Sequence, residues 1–249
     1  MIDVHCHLLP GIDDGAKTME HSLNMARASV SNGIRHAVMT PHIQPGRYDN
    51  TRTLIKASFE RFRLALGKAQ IPLEISMAAE VRVSPEILTL LDEGELPFHG
   101  ELDGYRILLL EFPHTHIPPG ADKLIDYLLV KKIRPLIAHP ERNGDVIRKL
   151  SKIDPFIEQG CMLQITASSL VGIFGDAPRK RAQELLERDV FTVLATDAHN
   201  LEGRRPLLRE GAAAAAQIIG VEAAQDLVET RPLQILGLYS HFQLVEPQG

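Results

Sequence analysis

Residues 2–7 read Ile2-Asp3-Val4-His5-Cys6-His7, a short extended run that closes on two histidines two positions apart. Side chains of a strand alternate between faces, so His5 and His7 point the same way and can share a metal ion, while Cys6 points to the other side. The construction recurs along the chain. Ala37-Val38-Met39-Thr40 runs into Pro41-His42, a segment near 73–79 ends at Glu80, and Ile107-Leu108-Leu109-Leu110 ends at Glu111. Later, Ala138 meets His139, and Thr192-Val193-Leu194-Ala195-Thr196 meets Asp197-Ala198-His199. Barrel enzymes of parallel strands gather their chemistry at such strand ends.

Seven strands are expected, near 2–5, 35–40, 73–79, 105–111, 133–138, 161–166 and 190–196. Between them, helical periodicity covers 17–32, 51–69, 84–92, 120–131, 144–159 and 177–188, and helices near 205–218, 221–229 and 231–238 close the chain. This alternation predicts an α/β fold with a mainly parallel sheet. Asn32-Gly33, Pro72 and Arg134-Pro135 supply breaks consistent with that phasing. No Pro/Ser-rich linker, charge block or low-complexity tract divides the sequence, so one domain over 1–249 is expected.

With 44% hydrophobic residues over 249 positions, the chain has material for a buried core. A formal net charge of -5 gives no basic excess for gripping nucleic acid or an anionic membrane surface, so an anionic substrate must be held locally. The start of the chain shows neither a basic leader nor a long apolar segment, and no later stretch approaches the ~20 apolar residues of a membrane helix. No membrane insertion and a cytoplasmic location are expected. Cys6 and Cys161 are too few for a disulfide framework, which fits a reducing compartment.

Gly11-Ile12-Asp13-Asp14-Gly15 is a tight loop carrying two carboxylates, of which Asp14 is the candidate ligand. The donor set is then His5, His7, Asp14, His42, Glu80, Glu111, His139, Asp197 and His199, nine groups in all. One ion of four to six ligands does not need so many, so two or three divalent ions are implied. Imidazole and carboxylate without thiolate suit manganese, iron or zinc, with manganese preferred. Taken singly, Glu80 also reads as a loop acid and Glu111 as the structural partner of a nearby arginine. Arg142, in His139-Pro140-Glu141-Arg142, carries a guanidinium that can clamp two phosphate oxygens, and Arg204 follows His199 after a short loop. The sixth strand gives Gln164-Ile165-Thr166-Ala167-Ser168-Ser169, whose small polar side chains can line the pocket without ligating. Asp13, Glu141 and Arg205 stay outside the set, and His21, His36, His99, His114, His116 and His241 read as surface or supporting groups.

These residues resemble the polymerase and histidinol phosphatase superfamily, and more closely its bacterial tyrosine-protein phosphatases encoded with capsule and exopolysaccharide genes. Asp3-Val4-His5-Cys6-His7 through Asp13-Asp14-Gly15 is similar to the amino-terminal signature of that family. Thr40-Pro41-His42, Leu110-Glu111-Phe112-Pro113, Ala138-His139-Pro140-Glu141-Arg142-Asn143 and Thr196-Asp197-Ala198-His199-Asn200 follow in family order. Glu80 precedes Val81-Arg82 as in the family's glutamate segment. The resemblance implies a distorted seven-stranded TIM-like (β/α)7 barrel, a trinuclear metal site, and a phosphotyrosine-bearing protein as substrate, namely a bacterial tyrosine kinase that regulates capsule synthesis. Ala78-Ala79 and Gly144-Asp145 depart from the pattern.

The expected reaction is attack of a metal-bound hydroxide on phosphorus, with Arg142 and Arg204 neutralising the nonbridging oxygens and His199 or a bound water assisting the leaving group. Cysteine-based phosphatase chemistry is excluded: it needs arginine six positions after the cysteine, and here Ile12 and Ala167 stand there. Rivals are hydrolysis of histidinol phosphate or another small phosphoester, an amidohydrolase, and a noncatalytic metal-stabilised binding domain. Asp14, His42 and Glu80 exceed what an amidohydrolase uses.

Overall fold

In the computed structural model, the described residues are 1–188 and 190–238. His241 lies outside them. The strands are β1 (Ile2–Cys6), β2 (His36–Met39), β3 (His42–Ile43), β4 (Glu74–Met77), β5 (Glu80–Arg82), β6 (Glu101–Leu102), β7 (Tyr105–Glu111), β8 (Ile133–Ala138), β9 (Met162–Thr166) and β10 (Thr192–Ala195). The helices are α1 (Met19–Ser31), α2 (Arg52–Lys68), α3 (Ile87–Asp92), α4 (Ala121–Val130), α5 (Gly144–Arg148), α6 (Asp154–Glu158), α7 (Ala167–Leu170), α8 (Asp176–Leu186), α9 (Leu208–Ile219), α10 (Val221–Asp226) and α11 (Thr230–Ile235).

A three-stranded sheet runs β1-β2-β4, and a larger one runs β10-β9-β8-β7-β5-β3, every pairing on these paths being parallel. Among the described residues, ten strands stand where seven were expected, for three local reasons. Pro41 has no N–H to give to a ladder and splits the second run into β2 and β3. Its neighbour divides opposite that break, at Ala78-Ala79, into β4 and β5. The tenth strand, β6, is the short arm of an antiparallel hairpin with β7. Its turn is Asp103-Gly104, both at positive φ (53° and 75°), the conformation that tight two-residue hairpins require. His42 and Glu80 therefore begin short strands instead of ending long ones.

Helix 144–159 also divides, into α5, a 3₁₀ turn at Leu150–Lys152, and α6. Pro155 in the first turn of α6 cannot accept a helical predecessor, so a new helix starts there. Helix 84–92 is shorter than expected, beginning at Ile87 behind Pro85. The four-residue helix α7 was not anticipated.

Strands β1, β8, β9 and β10 are buried through nearly all their length, and the buried residues of the two sheets fall into two cores. Val4, Val38, Ile107, Leu109, Leu136, Ala138, Met162, Val193 and Ala195 form one cluster, joined at one end by Ile235 of α11. The intervening Met39, Leu108, Leu110, Ile137, Leu163, Ile165 and Leu194 belong to the other, packed beneath the helices, and Cys6 joins them because the register of β1 shifts between Asp3 and Cys6. Cys6 does point away from His5 and His7: its Sγ lies 3.3 Å from the Val38 carbonyl. No helix among the described residues is long and apolar enough to cross a membrane.

Candidate metal centre

The predicted donors lie at or follow the carboxyl ends of β1, β2, β4, β7, β8 and β10, with His42 and Glu80 also opening β3 and β5, and the structure brings them together around Glu80. Its Oε2 lies 3.1 Å from His5 Nε2, 3.2 Å from His7 Nε2 and 3.1 Å from His42 Nδ1. Its Oε1 lies 2.7 Å from His139 Nε2. Asp197 Oδ1 completes one side, 3.3 Å from His5 Nε2 and 3.4 Å from His7 Nε2. On another side, Asp14 Oδ1 lies 3.3 Å from both His42 Nε2 and His199 Nε2. Glu111 reaches His139 Nε2 and His42 Nδ1 at 3.8 Å.

The donors fit metal ions. His5, His7, Glu80 and Asp197 form one set of converging atoms; His7, Asp14, His42 and His199 form a second, and His42, Glu80 and Glu111 another. Asp14 Oδ1, His42 Nδ1, Glu80 Oε2, Asp197 Oδ1 and His199 Nε2 are buried and make no hydrogen bond, although other donors surround them at short range. Buried polar atoms are otherwise nearly always hydrogen-bonded, so inward-facing lone pairs with no proton to accept are the signature of cation ligands.

Neighbours aim these rings. His7 Nδ1 lies 2.7 Å from Asp13 Oδ2, which commits that nitrogen as donor and leaves Nε2 for the cluster. Asp13 also accepts from the amides of Gly15 and His42. It is therefore the orienting partner of the acidic pair, and Asp14 is the inward one. Asn50 donates to the Ile12 and His42 carbonyls, tying the acidic loop to β3. His199 Nδ1 lies 2.9 Å from the Asp197 carbonyl. Glu141, wholly buried, accepts from Ser169 Oγ and the Thr166 amide and so holds the turn after His139 against α7.

Asp3 accepts from the Thr196 amide and hydroxyl at 2.9 and 2.5 Å, drawing β1 to the end of β10. Arg82 grips both oxygens of Glu111, at 2.8 and 2.9 Å. Both readings of Glu111 thus hold, as arginine partner and as a carboxylate facing the donors. Two donors sit on left-handed backbone, His139 at φ 33° and Asp197 at φ 51°. Such conformations cost energy in non-glycine residues and persist where surrounding bonds fix them. The bend throws each side chain inward immediately after its strand.

Electrostatics reflect a carboxylate-rich pocket. Burial opposes charge on His5, yet Glu80 and Asp197 outweigh it and raise its pKa. Against the same burial, Asp13 raises His7 well above the usual histidine range. The pocket favours positive charge between these groups. Burial and Arg142 push His139 down to about 3, and burial with His7 pushes His199 down to about 4, leaving the neutral imidazoles that ligate metals. Burial and the adjacent Glu80 raise Glu111.

Arg142 and Arg204 both donate to Asp197 Oδ2, Arg204 Nη2 at 2.5 Å. The Arg142 side chain is only 11% exposed, and its guanidinium lies 4.5 Å over the Phe174 ring. His199 faces Asp14 with Nε2, a ligand's position, and its geometry gives no separate support for a proton-donating role.

Parallel strands that present converging imidazoles and carboxylates at their carboxyl ends define the α/β class that organises metal ions there, and the fold is shared with phosphotriesterase homology protein from Escherichia coli. That match has a TM-score of 0.59 over 94% of this chain and 98% of the other, at 14% identity. More specifically, residues 1–237 match CpsB/CapC, capsular polysaccharide synthesis, and the chain belongs to that family. It is 35% identical to the tyrosine-protein phosphatase YwqE of Bacillus subtilis (strain 168), over 94% of this chain and 91% of the relative. It is 31% identical to the tyrosine-protein phosphatase CpsB of Streptococcus pneumoniae, over 95% and 98%. A chain from the crystal structures of those two proteins, described as unique metal-dependent tyrosine phosphatases, matches with a TM-score of 0.87 at 35% identity, covering 94% of both chains.

Proposed function

We propose that this chain is a metal-dependent protein-tyrosine phosphatase acting on a phosphotyrosine-bearing protein, a bacterial tyrosine kinase that regulates capsule or exopolysaccharide synthesis, in the cytoplasm. The observation that carries the reading is the convergence of four imidazoles on one buried carboxylate, Glu80, beside two arginines. Relatives over nearly the whole length are named tyrosine-protein phosphatases, which supports the substrate class.

His5, His7, Glu80 and Asp197 would hold one ion, Asp14, His42 and His199 a second, and Glu80, Glu111 and His139 a third, with manganese preferred. When bound, the ions supply charge neutralisation and lower the pKa of water at neutral pH. Glu80 would serve two of these sets, its Oε2 facing His5, His7 and His42 and its Oε1 lying against His139. Arg142 and Arg204 have guanidinium N–H groups beyond those given to Asp197, and these take the nonbridging phosphate oxygens as charge develops. Water adds to phosphorus, the bond to the tyrosyl oxygen breaks, and tyrosine and phosphate leave. A phenolic leaving group, with a parent pKa of about 10, needs little protonation, so no dedicated acid is required.

The fold reading goes with it: one domain shaped as a distorted seven-position barrel. Support comes from main-chain bonds that cross the breaks, Ala78 N to Met39 O at 2.9 Å and Glu80 N to Pro41 O at 3.1 Å. Asp197 N to His5 O at 2.8 Å and His7 N to Ala198 O at 2.9 Å link the last strand position to the first.

The test is phosphate release from a phosphotyrosyl peptide by chelated and manganese-restored protein, with phosphoserine peptide and histidinol phosphate alongside. Metal-restored, tyrosine-selective release lost in His139→Ala and Arg142→Ala is the expected outcome. No release from any phosphoester at full metal occupancy would overturn it.

A further inference from the structure

Beyond the nine donors, one more imidazole faces the cluster. His114, in the segment after β7, offers a ring nitrogen that lies with donor atoms of Glu111 and His139 inside a mutual distance of 4.8 Å. Its ring centroid is 5.3 Å from that of His139. Unlike the other donors it is solvent-exposed.

The backbone carrying it is nonetheless fixed. Gly144 N donates to the His114 carbonyl at 2.7 Å, Asn143 Nδ2 to the Pro113 carbonyl at 2.7 Å, and Ile117 N to Asp145 Oδ2 at 2.8 Å. The approach is so close that a side chain at Gly144 would put its Cβ 2.6 Å from the Thr115 carbonyl oxygen. The segment bearing His114 is therefore clamped to the one that follows His139 and Arg142, which sets the two rings side by side.

We infer that His114 is a further ligand of the ion held by Glu111 and His139, supplied from the solvent side. Donors on an ion with bonds of ~2.1 Å stand at most roughly 4.2 Å apart, so the exposed ring needs only a small rotation to complete the set. Glu111 and His139 cannot adjust as freely, being buried and held by Arg82 and Glu80. This role rests on the phosphatase reading only in its need for an ion at that position.

The experiment is metal content and affinity of the full chain, titrated with manganese and stripped against a graded chelator, for the wild type, His114→Ala, His114→Gln and His139→Ala. Cobalt substitution and its visible absorption give a second readout of ligand number. The inference expects both His114 variants to fold normally and to weaken one class of ion at least ~10-fold, with altered cobalt absorption. Unchanged isotherms and spectra in the His114 variants, with an ion lost in His139→Ala, would overturn the inference and leave the metal centre standing. If the wild type takes up no stoichiometric ion, the metal-centre reading falls and the inference with it.

Discussion

His5 Nδ1 lies 2.8 Å from Gln164 Oε1, across 159 residues of sequence. The same oxygen accepts from the His139 amide at 3.2 Å, which identifies it as the carbonyl oxygen of the side chain. His5 therefore carries its proton on Nδ1 and turns the lone pair of Nε2 toward Glu80 and Asp197. One glutamine sets the tautomer of one ligand and the backbone of another.

Replacing Gln164 with leucine is expected to weaken ion binding by about 10–100-fold while leaving the fold in place. Chelator competition on the purified variant measures it. An unchanged affinity would mean that the ring is oriented by packing alone.

Arg142→Ala should reduce the turnover of phosphotyrosyl peptide by about 10²–10³, the usual consequence of removing one donor from a developing oxyanion. Arg142→Lys should recover only part of it, since an ammonium cannot reach Asp197 and phosphate with a fixed fork. Steady-state kinetics at saturating manganese distinguishes these outcomes.

Gly15 packs against the β1 end so closely that a Cβ there would lie 2.1 Å from the His7 carbonyl oxygen. Gly15→Ala is expected to destabilise the protein by about 3 kcal/mol and to displace Asp14 from His199. Urea unfolding and manganese titration read the two effects separately. Alanine at Gly104, where the turn leaves open space, should cost far less, limited to its positive φ.

His99 is buried, with Nε2 2.7 Å from the Val4 carbonyl, and burial pushes its pKa down to about 4. The unfolded chain binds its proton at about 6.5, so between these values the unfolded state holds more protons than the folded one. Stability from this group is whole above about pH 6.5 and declines as the pH falls toward 4, by roughly 3 kcal/mol in total. Denaturation midpoints across that window, compared with His99→Gln, should show a shallower acid slope in the variant.

Burial pushes the Cys161 thiol up to about 12 and raises Cys6 well above its ordinary value. Iodoacetamide at pH 8 should modify neither in the native protein and leave phosphate release intact. Rapid labelling with parallel inactivation would reopen thiol chemistry.

The donors were readable because each follows an apolar run and the runs are periodic. That pattern places His5, His7, His42, Glu80, Glu111, His139, Asp197 and His199 together from the sequence alone. What aims them was not readable. Gln164 reaches His5, and Asp3 reaches Thr196, through contacts that leave no local spacing signal. Asp14 is preferred over its chemically identical neighbour at the level of sequence, but the task of Asp13, orienting His7, shows only in the direction of the loop. Boundaries failed where single residues override periodicity, at Pro41 within the second run and Pro155 within the fifth helix. Glu141 could have been found from its place between His139 and Arg142, where an acid next to a strand end has few solvent-facing options.

Asp197 divides its two oxygens between tasks, Oδ1 toward His5 and His7 and Oδ2 toward Arg142 and Arg204. An anion that draws the guanidiniums away from Oδ2 leaves more electron density for whatever Oδ1 binds, and a cation at Oδ1 loosens the grip on the arginines. Occupancy on one side of that carboxylate is thereby thermodynamically linked to occupancy on the other, and the linkage runs equally in both directions.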